Sequence, residues 1–346
     1  MTSYVLSAEL AKGNVSPDDL VSISDNAWAQ NPVFKGSSRM FIEVGKQVRL
    51  EDLHRGLIIS SGNDASVAVA EHIAGSEDVF AEVMNQYAQR LGMADTYFSN
   101  SHGLPAEGQH TSALDMARLA RAAILDYPED YRLYAERSYT YNGITQNNRN
   151  QLLWRDPTAD GLKTGYTKAA GYCLVASAER DGMRLVGVVL GARSAEARVQ
   201  ENQKLLQYGF RYFETLKIYS AGESLQQARV WSGTRDSVPL GLAEDLYVTI
   251  PRGKRASLLA ETEIDAVIQA PVTAGSTLGQ LHLSLEGEPL WQVPPVEGEG
   301  DSPEQSGVAL APRLVALQAV DQAGIVARLW HRVKLFVYEL FGWATN

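Results

Sequence analysis

Two apolar runs joined by Asp181-Gly182 constrain the fold of this chain more than any other local pattern. Residues 172–178 and 183–190 are strand-like, and Asp-Gly between such runs is typical of a tight β-hairpin turn. From residue 50 to 124, by contrast, apolar side chains recur at spacings of three and four, which predicts helices. The residues from 194 to 213 return to the helical pattern. We therefore expect an α/β (α+β) fold in which helices flank an antiparallel sheet.

The sequence predicts two domains followed by a linker and a terminal helix. We expect the first domain over residues 1–214. A small β-rich domain is expected over 215–296, where Val, Leu and Thr are punctuated by Gly and Pro. Residues 297–312 begin with an acidic stretch containing Gly, Ser and Pro, a composition typical of an exposed linker. Residues 313–346 are expected to carry an amphipathic helix.

The C-terminal pattern favours a helix that lies in a membrane surface. When residues 325–343 are placed on a helix, most of the apolar side chains fall within one half, and the charged ones, mostly basic, fall on the other. Trp330 and Phe336 are among the aromatic side chains of the apolar half, as expected at a membrane interface. The alternative is a helix that docks on its own protein. No run of eighteen uncharged apolar residues predicts a membrane span.

Composition excludes some functions and leaves others open. The chain has 346 residues and a formal net charge of -10, which argues against broad binding of a nucleic-acid backbone. Its single cysteine, Cys173, excludes an intrachain disulfide. Because Cys173 lies in an apolar run, we interpret it as a buried small side chain and not as a reactive thiol.

Two short motifs carry groups suited to chemistry, although each alone has an ordinary explanation. Ser61-Gly62-Asn63 lies between two predicted helices, where Asn63 or Asp64 would simply cap the helix that begins near Ala65. Lys163-Thr164-Gly165 is expected on an edge strand. There the Lys charge and the Thr hydroxyl suit a carboxylate, and Gly allows a substrate backbone to approach closely.

Together, about a hundred residues apart and in this order, the motifs resemble the S-x-N and K-T-G signatures of penicillin-recognising serine enzymes. Other matching segments include 31–40, 102–104, 148–154 and 247–253. The chain therefore resembles, nearly end to end, the serine-type D-alanyl-D-alanine carboxypeptidases, the low-molecular-mass penicillin-binding proteins. Their first signature, S-x-x-K, is absent from the 346 residues. The resemblance implies that its Ser and Lys lie immediately upstream of Met1.

The resemblance implies a β-lactamase/transpeptidase-like domain, with an antiparallel sheet flanked by helices and an all-helical lobe, before the β-rich domain. It implies removal of the terminal D-Ala from peptidoglycan stem pentapeptides through an acyl-serine intermediate, with β-lactam antibiotics as inhibitors. No cofactor, no metal and no nucleic-acid partner are expected. The expected location is the periplasmic face of the inner membrane, held peripherally by the C-terminal helix.

Individual roles also follow from the resemblance. Ser61 would pass a proton toward the leaving amine, and Asn63 would bind the substrate amide. The terminal carboxylate would be bound by Lys163, Thr164 and Gly165 of the K-T-G motif, assisted by the planar guanidinium of Arg149.

The oxyanion hole would include the backbone N–H of Tyr166, where many relatives carry histidine. His102 is interpreted as structural. Because the nucleophile and its base are missing from the sequence, we expect this polypeptide to be inactive as given. A non-catalytic protein that binds peptidoglycan or membrane is the alternative. A class A β-lactamase is less consistent with the sequence, because Gly62 stands where that class usually has Asp.

Overall fold

The computed structural model describes residues 1–290 and 311–325, which fall into two compact units. The first unit comprises Met1–Arg211, and the second begins at Tyr212. The helices of the first part are α1 Thr2–Ala11, α2 Leu50–Arg55, α3 Asn63–Ala74, α4 Glu77–Arg90, α5 Ala113–Asp126, α6 Pro128–Tyr131, α7 Leu152–Arg155 and α8 Ala195–Tyr212. Its strands are β1 Leu20–Ser22, β2 Gln47–Arg49, β3 Ser138–Tyr141, β4 Ile144–Asn147, β5 Ala159–Thr167, β6 Gly171–Arg180 and β7 Met183–Ala192.

The helix boundaries follow from local capping and from one sharp break. Ser76 and Ser112 begin α4 and α5, and each side-chain oxygen accepts a hydrogen bond from a backbone N–H of the first turn. Between α2 and α3 the chain passes through a π-helical turn, Gly56–Ser60, and then through Ser61, whose φ of 55° is left-handed. The expected interruption of the helix at the Ser-Gly-Asn motif is therefore present.

The predicted hairpin is confirmed and forms the centre of a three-stranded antiparallel sheet in the order β5-β6-β7. Asp181 and Gly182 have φ values of 50° and 76°, and two consecutive positive φ angles match the right-handed twist of paired strands. Because β5 pairs only with β6 in this sheet, Lys163-Thr164-Gly165 lies on an edge strand, as the sequence predicts.

The sheet has a hydrophobic layer on each face because alternate β6 residues point in opposite directions. Leu174 and Ala176 pack on one side with Val199 and Leu206 of α8. The intervening Val175 packs on the other side, in a cluster that includes residues of the π-helical turn and of α5. The edge strand is therefore fixed between helices on both sides.

The first unit also contains two short antiparallel ladders beside its helices, because β1 pairs with β2 and β3 pairs with β4. Gln146 and Asn147 belong to β4, since they pair with Tyr139 and Ser138.

The second unit is built from β-strands. Their bounds are β8 Phe213–Tyr219, β9 Gln226–Trp231, β10 Ser237–Gly241, β11 Leu246–Pro251, β12 Leu258–Ile264, β13 Ile268–Gln269, β14 Thr277–Leu285, β15 Glu288–Pro289 and β16 Arg313–Ala316. One sheet has the order β12-β14-β16-β10-β9-β13, with β15 added to β14, and β8 pairs with β11 separately. Its core includes Val230, Val238, Leu240 and Leu314.

The tail prediction requires one correction. Residues 313–316 form β16 and are not part of a terminal helix, because Leu314 and Ala316 alternate into the core between β10 and β14. The predicted linker up to residue 310 and the helix beyond residue 325 lie outside the described residues. Among the helices of the described ranges, none combines the length and apolar composition needed to cross a membrane.

Candidate active site

A cleft of about 1690 Å³ in the first unit brings the predicted site residues together. Its walls come from the start of α1, the segments at 33–38 and 98–111, the α3 N-terminus and the edge strand β5. The predicted residues that line it are Ser61, Asn63, Arg149, Lys163, Thr164, Gly165 and Tyr166. Groups separated by about a hundred residues in sequence therefore face one space.

The two motifs meet directly through Ser61 and Lys163. Lys163 Nζ donates a hydrogen bond of 2.6 Å to Ser61 Oγ and another of 3.1 Å to the carbonyl of Thr164. The left-handed backbone of Ser61 is strained for a non-glycine residue, and strain of this kind is concentrated at functional sites. The contact gives a hydroxyl and an amine the geometry required for proton transfer between them.

The charge state of Lys163 is set by its surroundings. Burial lowers its pKa to about 7, and repulsion from the guanidinium groups of Arg149 and Arg198 contributes in the same direction. A lysine with a pKa near neutrality exists as both ammonium and amine at physiological pH. Lys163 can therefore bind an anion in one state and accept a proton from a hydroxyl in the other.

Asn63 is held by direct hydrogen bonds to the segment that contains Ser37 and Ser38. Its Nδ2 donates to Ser37 Oγ at 2.8 Å, and its backbone N–H donates to the Ser38 carbonyl at 3.0 Å. The side-chain amide therefore already has a partner, and its carbonyl oxygen is the group suited to accept from a substrate amide. Ser37 belongs to segment 31–40, which the sequence analysis noted only as part of the resemblance.

The same segment is held by a buried carboxylate, Asp64, which is fully inaccessible to solvent. Its oxygens accept from the backbone N–H groups of Met40 at 2.7 Å, Phe41 at 2.8 Å and Ile42 at 3.2 Å. Burial raises the pKa of Asp64, and these hydrogen bonds act in the opposite direction. The expectation that Asn63 or Asp64 would cap a helix beginning at Ala65 is wrong: α3 begins at Asn63, after Gly62.

Gly62 is required by the close approach of this segment to α3. A Cβ at position 62 would lie 3.0 Å from Met40 N and 3.0 Å from Met40 Cβ, closer than side chains normally pack. The central residue of the Ser-Gly-Asn motif therefore lacks a side chain for a steric reason, which also disfavours an aspartate there.

Arg149 is presented to the cleft by two buried asparagines. Asn148 Nδ2 donates to the Glu136 carbonyl at 3.0 Å, and Asn150 Nδ2 donates to the Gly161 carbonyl at 2.9 Å. Both asparagines are below one-tenth exposed. Because they fix the backbone on either side, the guanidinium of Arg149 is held near the Ser60 carbonyl, with Nε 3.4 Å from that oxygen.

Arg198 is a site residue that the sequence did not reveal. It comes from α8, is 8% exposed, and its Nη1 donates to the carbonyls of Gly165 at 3.0 Å and Cys173 at 3.3 Å. No local motif marks it. Cys173 itself is partly exposed and lines the cleft opposite Gly165, so our interpretation of it as a buried side chain is wrong.

The start of α1 forms part of the cleft floor. Ser3 Oγ is hydrogen-bonded to His54 Nε2 at 2.7 Å. Burial lowers the pKa of His54 to about 4, so this imidazole is neutral near pH 7.

His102 has the contacts of a structural residue. Its Nδ1 accepts from the Leu104 N–H at 3.0 Å, and its ring meets the ring of Phe34 edge to face. Burial lowers its pKa, while the charge of Glu77 acts in the opposite direction. Across the described ranges, no three His, Cys, Asp or Glu side chains are grouped as metal ligands.

Comparison with known proteins agrees with this geometry. Residues 1–194 match the peptidase S11 family model, described as D-alanyl-D-alanine carboxypeptidase, and residues 213–301 match the model of the penicillin-binding protein 5 C-terminal domain. The D-alanyl-D-alanine carboxypeptidase DacA of Escherichia coli (strain K12) is 41% identical over 345 residues, covering 99% of this chain and 81% of the relative. DacF of Bacillus subtilis (strain 168) is 34% identical over 300 residues, covering 85% and 76%.

Solved structures give the same result. The crystal structure of penicillin binding protein 5 from Haemophilus influenzae superposes with a TM-score of 0.78 at 40% identity, covering 93% of this chain and 88% of that chain. Penicillin-binding protein D2 from Listeria monocytogenes, in its ampicillin-bound form, gives a TM-score of 0.52 at 28% identity, covering 60% and 83%. This chain belongs to the peptidase S11 family of D-alanyl-D-alanine carboxypeptidases.

Proposed function

We propose that the cleft binds peptides that end in D-Ala-D-Ala, and that it serves a serine-type carboxypeptidase reaction on peptidoglycan stem pentapeptides. The observation that carries the proposal is the 2.6 Å contact between Lys163 Nζ and Ser61 Oγ, which joins the K-T-G and S-G-N motifs in one cleft. The family membership supports the same reaction.

The terminal carboxylate of the peptide would bind where positive charge is concentrated. Arg149 and Arg198 line the cleft and repel the charge of Lys163, and Thr164 and Gly165 follow Lys163 on the edge strand. The peptide would lie along this edge with its amide near Asn63. A backbone N–H at Tyr166 is the proposed donor to the oxyanion.

The reaction needs a nucleophile that the 346 residues do not supply in an S-x-x-K motif. With such a motif in place, the serine hydroxyl would attack the carbonyl of the penultimate D-Ala. The terminal D-Ala would leave with a proton delivered through Ser61, and water would hydrolyse the ester. We propose that the 346-residue polypeptide binds the peptide without forming an acyl-serine.

β-Lactams are proposed as inhibitors of the same site. Their carboxylate would bind where the peptide carboxylate binds, and the ampicillin-bound form of the Listeria relative supports this proposal. Covalent attachment of a β-lactam would require the serine of S-x-x-K, just as peptide hydrolysis does.

The test compares the 346-residue chain with the same chain extended before Met1 by residues that carry S-x-x-K and continue α1. We expect fluorescent penicillin to label the extended chain covalently and the 346-residue chain not at all. A Ser→Ala change in the added motif is the matched control. Hydrolysis of a D-Ala-D-Ala peptide should follow the labelling. Peptide binding without labelling of the extended chain would refute the enzyme and favour a non-catalytic peptidoglycan-binding protein.

We also propose that the protein lies at the periplasmic face of the inner membrane, held by residues 326–346. The amphipathic sequence pattern supports this proposal. Vesicles containing anionic phospholipid should retain the full chain and release a variant that ends at Ile325. Equal retention of both would contradict the proposed anchor.

A further inference from the structure

Two tyrosines form a stacked pair directly beyond the K-T-G motif. Tyr166 on β5 lies opposite Tyr172 on β6, so both side chains are on the same face of the sheet. Their ring centroids are 4.3 Å apart, with an angle of 33° between the ring planes. Both residues line the cleft, and Tyr166 remains 56% exposed. The pair thus presents an apolar ring surface at the mouth of the cleft.

The ring surface and the carboxylate site lie along the same edge strand, and Gly165 between them has no side chain. Thr164 and Tyr166 are two residues apart on a strand, which corresponds to about 6.6 Å. An extended D-Ala-D-Ala dipeptide spans about the same distance. Its N-terminal end would therefore reach Tyr166 when its carboxylate is bound at Lys163 and Thr164.

The charge around the ring pair restricts what can bind there. The Arg198 guanidinium lies over the Tyr172 ring, 5.8 Å from its centroid. The Arg198 charge would repel a cationic group placed on the rings. An uncharged apolar group would gain ring contact without that repulsion.

We propose that Tyr166, with Tyr172 as its positioning residue, forms a subsite for an uncharged apolar group attached to the N-terminal side of D-Ala-D-Ala. This inference rests on the proposed function and adds a specificity determinant to it. The occupant is a flat ring or a methylene chain that lies against Tyr166. If the tyrosine pair served only to stabilise the β5–β6 ladder, peptides with and without this apolar group would bind equally well.

The experiment measures non-covalent binding of two peptides to the 346-residue chain, by calorimetry or saturation-transfer NMR. The probes are N-acetyl-D-Ala-D-Ala and N-phenylacetyl-D-Ala-D-Ala. We expect the phenylacetyl peptide to bind about 2- to 10-fold more tightly than the acetyl peptide, because this is the gain in affinity that one aromatic contact provides. Tyr166→Ser should abolish this preference, so that the two peptides bind the variant with equal affinity.

Two variants separate the subsite from folding effects. Tyr166→Phe keeps the ring and should keep the preference. Tyr247→Ser removes a tyrosine of similar exposure, 54%, from the second unit and should also keep it. If Tyr166→Ser still binds the acetyl peptide and prefers the phenylacetyl peptide as strongly as the wild-type chain does, the subsite is refuted and the proposed function is not. If neither peptide binds the wild-type chain, the proposed function fails and the subsite fails with it.

Discussion

Replacing Asp64 by Asn tests whether one buried carboxylate holds a wall of the cleft. Asp64 Oδ1 accepts from Met40 N and Ala65 N, and Oδ2 accepts from Phe41 N and Ile42 N. In asparagine, one of these oxygens becomes an NH₂ group. Whichever way the amide is turned, two backbone N–H groups then face a donor and lose their acceptor.

The magnitude follows from those two hydrogen bonds. Each bond to a charged acceptor contributes about 1.5–3 kcal/mol, so the gross loss is about 3–6 kcal/mol. The neutral amide costs less to bury than the carboxylate, which offsets part of the loss. We therefore expect a net destabilisation of about 3 kcal/mol. For a unit of about 200 residues, this corresponds to a Tm lower by about 6–12 °C.

The assay combines thermal unfolding with limited trypsin digestion. Arg39 precedes the three N–H groups that Asp64 binds, so release of this segment should expose the Arg39–Met40 bond to trypsin. Asp78→Asn is the matched control, since Asp78 is exposed in the first turn of α4 and should change stability by less than about 0.5 kcal/mol. The reasoning would be refuted by Asp64→Asn and Asp78→Asn proteins with the same Tm and the same cleavage rate at Arg39.

Three further predictions concern the S-G-N and K-T-G motifs. Gly62→Ala should destabilise the protein by about 1–3 kcal/mol in urea unfolding, because its Cβ would overlap Met40; unchanged stability would contradict the packing. Ser61→Gly should be more stable than Ser61→Ala by about 1 kcal/mol. Both variants lose the hydroxyl, but only glycine adopts the positive φ of this position without strain. Equal stabilities of the two variants would show that the backbone at residue 61 is not strained. Burial lowers the pKa of Lys163 from 10.5 to about 7, so the folded chain binds fewer protons than the unfolded chain within that window. Stability should therefore fall as pH falls from 10.5 to 7. Lys163→Met should remove this component in urea unfolding across that range, and an identical pH profile in the variant would contradict the lowered pKa.

The sequence predicted those features that depend on residues close together in the chain. Asp181-Gly182 predicted its hairpin because a two-residue turn with positive φ angles is specified by the turn residues themselves. The roles of Ser61 and Lys163 in one site were predicted from a resemblance, and their direct contact was not predicted. Neither motif alone contains the information that brings them to 2.6 Å.

The features that the sequence did not predict depend on contacts between distant segments. Asp64 appeared to be a helix cap, but three of its four backbone partners lie 22 to 24 residues earlier in the chain. Arg198 lies on a helix, and its partners are carbonyls of β5 and β6. Cys173 lies in an apolar run that suggests burial. It is partly exposed because the glycine opposite it leaves the cleft open at that point.

The reactive groups of this cleft come from separate segments, and each segment is held by buried polar contacts behind the reacting surface. Asp64 holds the loop that carries Ser37, which in turn binds Asn63. Asn148 and its neighbour Asn150 hold the segment that presents a guanidinium. These contacts are hydrogen bonds between backbone groups and buried side chains. Their loss should therefore destabilise the protein and leave the reacting groups chemically intact. Substitutions of these buried side chains should therefore weaken peptide binding by displacing the reacting groups. The loss of binding affinity should be larger in the variants that lose more stability. Replacing Arg149, whose exposed side chain lines the cleft, should reduce binding while stability is nearly unchanged.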